Sequence, residues 1–178
     1  AAYFFLGGLA AGSFIFSVMA NFWRKELKPL AKNAAIIAVG ALAGGLLILL
    51  LDLGRPERFL GIIGHFNPAS ALSWGVWFLN IFLGLSFLYT ILLMTGKEDI
   101  AKKVAYPGIV FALLVGGYTG VLLAQAPGRA LWHSALIPVL FLLGGVISGT
   151  AINLLISPGK IEESAQGTLR KIVGWLVI

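Results

Sequence analysis

The chain has 178 residues, of which 59% are hydrophobic and only 11% charged, with no cysteine, a net charge of +6 and a mean hydropathy of +0.96. A soluble domain is typically ~45–50% apolar and ~25% charged, so this composition excludes a single water-facing fold and points to a bilayer. Without cysteine, this sequence alone forms no disulfide, thiolate zinc site, CxxCH haem attachment or iron–sulfur cluster. Its basicity follows from the gathering of Lys and Arg in cytoplasmic loops of membrane proteins, and nucleic acid is not an expected partner.

About 20 mostly apolar residues are needed to cross ~30 Å of hydrocarbon as a helix. Five stretches meet that requirement, at about residues 1–22, 34–53, 71–95, 104–125 and 133–156. The expected fold is therefore all-α, a polytopic transmembrane helix bundle with five complete spans. A sixth apolar run, from Ile172 to Ile178, stops after one or two turns, as the start of another span would. Together with an opening at Ala1 already inside an apolar run, this suggests a single bundle, residues 1–178, that is part of a longer protein. The first stretch lacks the basic n-region of a signal peptide and is instead followed by Arg24 and Lys25.

Ten Lys and Arg fall after spans 1, 3 and 5, against three (Arg55, Arg58 and Arg129) after spans 2 and 4. The positive-inside rule then places the richer loops in the cytoplasm and the N-terminus outside. Trp74 and Trp132 stand near the outer ends of spans 3 and 5, as interfacial indoles do. Four spans carry glycines four apart: Gly8 and Gly12, Gly40 and Gly44, Gly116 and Gly120, Gly145 and Gly149. Such pairs let helix backbones approach closely in lipid, so a tight bundle is expected.

Outside the cytoplasmic loops the ionisable residues reduce to Asp52, Arg55, Glu57, Arg58, His65, Arg129 and His133, all on the expected outer side. Asp52 ends the apolar run Ala41–Leu51 at the negative end of a helix dipole, which disfavours a carboxylate. Arg55 and Arg58 are natural counter-ions, Gly54 suits a left-handed cap, and Pro56 discourages Arg55 from continuing the helix. An ion pair that only closes the helix is the alternative reading of this group. Further on, His65 precedes Asn67, Pro68 and Ser70, which together form a helix-start signal.

Tyr118 and Thr119 fall roughly two turns below the outer end of span 4, and a tyrosine at that depth needs a hydroxyl partner. Gln125 and Arg129 continue toward Trp132, His133 and Ser134, at the start of span 5. A quinone head group requires hydrogen-bond donors for its carbonyls, a carboxylate or imidazole for proton exchange, and apolar walls for its tail. Asp52, His65, Tyr118 and His133 supply groups of those kinds.

The strings YFFLGGLAAG (3–12), LDLGRPERF (51–59), NPASALSWG (67–75) and YTGVLLA (118–124), taken in order over about residues 3–156, resemble the NrfD/PsrC-type membrane subunits. The resemblance implies a quinone-interacting subunit of a respiratory oxidoreductase, binding menaquinol or another quinone near the outer face and generally carrying no haem. It also implies an iron–sulfur protein partner on that face, often with a molybdopterin catalytic subunit, and commonly eight or more helices. Asp52, Gly54, Arg55, Pro56, Asn67, Pro68, Ser70 and Ser73 match the motifs directly. A quinone site would then form around Asp52 and Arg55 with Tyr118; the assignment of His65 and His133 rests on their position alone.

Two other classes compete. A haem b cytochrome would use His65 and His133 as axial ligands, and an absorption spectrum distinguishes it. A transporter or proton channel would also suit Asp52 and glycine-rich helices, although the ionisable groups gather at one face without an acid at mid-membrane. A purely structural anchor would show no quinone or inhibitor binding.

Overall fold

The computed structural model describes residues 2–23, 27–52, 71–124 and 136–156, with Gly167 and Gly174 as isolated positions. Five helices account for nearly all of this: α1 (Ala2–Phe22), α2 (Lys28–Asp52), α3 (Ala71–Met94), α4 (Glu98–Ala124) and α5 (Leu136–Ile156). Each is long and apolar enough to cross a membrane, so the protein is a multi-pass helical membrane protein. The run Ile172–Ile178 lies outside the described residues apart from Gly174.

The observed helices start earlier than their apolar stretches in two places. The second begins at Lys28, not residue 34, and the fourth at Glu98, not residue 104. Hydropathy marks only the part of a helix that sits in hydrocarbon, whereas the first turns of these two extend into the polar interface. Both starts have local support. Pro29 falls in the first turn of α2, where a missing N–H costs nothing, and Glu98 and Asp99 meet the positive end of the α4 dipole.

Between α3 and α4 the backbone reverses over residues 95–97. Gly96 takes a positive φ of 75°, and the Lys97 N–H donates to the Leu92 carbonyl at 3.0 Å, closing α3 with a Schellman cap. Nearby, Lys28 Nζ pairs with Glu98 Oε1 at 2.8 Å, joining the first turns of α2 and α4. Among the described residues all five lysines (Lys28, Lys32, Lys97, Lys102 and Lys103) belong to this basic end. The opposite end, where α2 stops at Asp52, carries none among the described residues.

The most buried helix is α1, which packs against α2, α4 and α5. Its contact with α5 is backbone on backbone. A Cβ on Gly12 would strike the Gly145 carbonyl, one on Gly145 would strike Gly8, and one on Gly149 would strike Gly12 and the Ser13 nitrogen. With side chains absent on both sides, dispersion contact replaces the hydrophobic force that lipid does not supply. Asn153 fastens this seam, donating to the Gly149 carbonyl at 2.6 Å and to Ser13 Oγ at 3.4 Å. Gly116 and Gly120 of α4 likewise receive Leu142 and Pro138 of α5.

Against α1, α2 sets Ala31, Ala34, Ala35, Ala38 and Leu42, all buried, and Ser17 Oγ donates to the Ala31 carbonyl at 2.6 Å. That choice of face turns Gly40 and Gly44 away. Nothing stands within 4 Å of where their β-carbons would be, so this glycine pair packs no neighbour among the described residues. The same rotation exposes Ile36, Leu47, Ile48 and Leu51, the large apolar side chains suited to acyl chains. Deeper in, Phe14 is fully buried with its ring edge-on to Phe82 at 5.4 Å and beside Tyr89 at 5.0 Å. Gly108 of α4 leaves room for that ring.

Candidate functional site

At the end of the bundle opposite the lysines, α1 starts, α2 stops, α3 starts and α4 stops. These four helix ends border a narrow cleft with about 560 Å³ of unfilled space, its open mouth included. Tyr3, Phe4 and Gly7 line it from α1, and Leu42, Gly45, Leu46 and Leu49 from α2. The remaining wall is Gly75, Val76 and Leu79 of α3 with Tyr118, Thr119 and Leu122 of α4. No charged residue lines it among the described residues.

Glycines give this cleft its shape. Gly45 allows α1 to lie against α2, since a β-carbon there would press on Leu6. Gly7 has open space where its β-carbon would be, so its missing side chain is part of the cleft itself. Gly75 has the opposite character. Its missing β-carbon is replaced by the Tyr118 phenol, whose ring and hydroxyl occupy that position.

The α3 backbone at Gly75 and the ring of Phe78 together hold Tyr118. Phe78 stands edge-on to the Tyr118 ring at 6.4 Å, and Trp74, one helical turn before Phe78, lies obliquely against it at 5.8 Å. The Tyr118 hydroxyl is buried and has no hydrogen-bond partner among the described residues. Thr119 offers no donor to the cleft, because its hydroxyl is directed to the Val115 carbonyl at 2.5 Å and the Gly116 carbonyl at 3.0 Å. A buried phenol without a partner is costly, and it marks the place where a bound molecule with an acceptor oxygen gains most.

Of the residues expected from sequence to form a site, Tyr118 is in the cleft. Asp52 is the last residue of α2, three beyond Leu49, which lines the same cleft. Arg55, His65 and His133 lie outside the described residues, as do Arg58, Arg129 and Trp132. Tyr3, Gly7, Gly45 and Gly75 are cleft residues that sequence reasoning did not single out. Tyr3 and Gly7 stand in YFFLGGLAAG and Gly75 ends NPASALSWG. The signal was present, but spacing does not separate a glycine that packs a helix from one that leaves a void.

A membrane bundle, with five helices among the described residues and an apolar cleft at the end away from the described lysines, is the class of protein these features define. The family model described as "Polysulphide reductase, NrfD" matches residues 1–174, and the protein belongs to that family. It is 33% identical to a polysulfide reductase chain of Wolinella succinogenes, over 94% of its own length and 59% of that relative. It is 29% identical to a selenate reductase subunit of Mesobacillus selenatarsenatis, over 96% of its own length and 50% of the relative. With the Hdr-like menaquinol oxidoreductase integral membrane subunit of Archaeoglobus fulgidus it shares 28% identity, over 83% and 38% respectively. The sequence thus spans between 38% and 59% of the length of these three relatives.

Proposed function

We propose that this chain is part of a quinone-interacting membrane subunit of a respiratory oxidoreductase, and that the cleft beside Tyr118 receives the quinone head group. The observation that carries this reading is the pairing of apolar walls with a buried phenol, unpartnered among the described residues, at the helix ends next to Asp52. The names of the relatives, which include a menaquinol oxidoreductase and two reductases, support the same class.

In this mechanism the Tyr118 hydroxyl donates to a quinone oxygen, and the walls formed by Leu46, Leu49 and Val76 exclude water from the ring. Oxidation of one quinol releases two protons and two electrons. Asp52 or His65 accepts a proton, Arg55 orients Asp52 and favours its charged form, and His133 is a second donor to the quinone. The electrons pass to an iron–sulfur subunit on the outer face, joined in many assemblies of this kind by a molybdopterin catalytic subunit. The protein lies in the prokaryotic inner membrane with its lysine-rich end in the cytoplasm, following the positive-inside rule.

The test is Asp52→Asn in the assembled complex. Quinol-coupled turnover is abolished while the subunits still co-purify; normal turnover would remove Asp52 from the mechanism. Co-purification of an iron–sulfur protein with several CxxC-type runs identifies the partner.

A further inference from the structure

At the basic end, residues of α1 and α4 line a small groove that no part of the quinone reading uses. Its composition changes with depth. The mouth carries the Lys102 ammonium, the Trp23 indole and the Tyr106 phenol, with Trp23 71% and Tyr106 62% exposed. The floor is Val18, Phe22, Ala105 and Ile109. Val18 is five residues from Trp23 and Ile109 seven from Lys102, so the floor runs roughly 7–10 Å inward from the polar mouth. A cationic and aromatic mouth over an apolar floor is complementary to an anionic amphiphile.

The charges nearby reinforce this. Of the two acidic residues in the turn before Lys102, Glu98 is engaged by Lys28 at 2.8 Å; neither it nor Asp99 lines the groove, and no other acidic side chain does among the described residues. Lys102 is therefore the one cation among the described lining residues. Indole and phenol groups at the level of lipid head groups add donors for phosphate and glycerol oxygens.

We propose that this groove is a binding site for an anionic phospholipid of the leaflet that meets the basic end, with its phosphate at Lys102 and an acyl chain along Val18, Phe22 and Ile109. Basic pockets between transmembrane helices take such head groups. The site is separate from the quinone cleft, at the other end of α1 and α4.

The experiment compares Lys102→Gln with Lys103→Gln in the complete complex. Both remove one exposed lysine, but only Lys102 lines the groove. After exchange into nanodiscs of phosphatidylcholine with or without phosphatidylglycerol, retained lipid is counted by native mass spectrometry. Lys102→Gln lowers phosphatidylglycerol retention about fivefold, Lys103→Gln leaves it unchanged, and Lys102→Arg restores it. Equal losses in both glutamine variants would mean diffuse surface charge and would overturn the site, as would no loss in either.

Discussion

The Tyr118 ring occupies the position that the β-carbon of residue 75 would take, so the phenol of α4 rests directly on the backbone of α3. Glycine at 75 is a condition for placing the hydroxyl in the cleft. Tyr118→Phe keeps the ring and removes the donor. The expected result is about tenfold weaker binding of a quinol-site inhibitor, equivalent to one hydrogen bond of ~1.4 kcal/mol.

Gly75→Ala forces the ring to move, because the new β-carbon would sit inside a packed aromatic side chain. The expected loss of inhibitor binding exceeds that of Tyr118→Phe. In a Tyr118→Ala background the same alanine has room, so Gly75→Ala adds little further loss; additive losses in the double-mutant cycle would contradict the contact.

Gly7 lines the cleft with open space at its β-carbon position. Gly7→Ala is therefore tolerated, whereas Gly7→Leu fills the void from inside. Quinol turnover and inhibitor binding are lost in the leucine variant while the purified subunit keeps its helical circular dichroism.

Glycines with the same sequence spacing have opposite predicted sensitivities. Gly12→Ala drives a β-carbon into the Gly145 backbone and costs roughly 1–3 kcal/mol, as overpacking does. Gly40→Ala meets nothing and gains up to about 1 kcal/mol from helix propensity. Unfolding of the two variants in mixed micelles measures the difference.

The Lys28–Glu98 pair is half-exposed on both sides, so its contribution is small. Glu98→Gln is expected to lower stability by about 0–1 kcal/mol, an effect that shrinks with added salt. A denaturation series at low and high ionic strength checks it.

Much of the fold was legible in the sequence because crossing hydrocarbon is a one-dimensional requirement. Length and apolarity located all five helices, and only the interfacial turns before residues 34 and 104 escaped. The site was legible in part. Tyr118 stood out as a polar group at depth, but its contact with Gly75 links residues 43 positions apart, and no local pattern encodes it.

Composition by itself determined that this protein lives in a bilayer, and the distribution of lysines set its two ends apart. Tertiary structure alone decided which glycines touch and which stand open. Gly12 and Gly40 look alike in the sequence, yet one meets a neighbouring backbone and the other faces away. The physical reason is rotational: each helix turns one stripe toward its partners, and that choice depends on the packing of all the helices together.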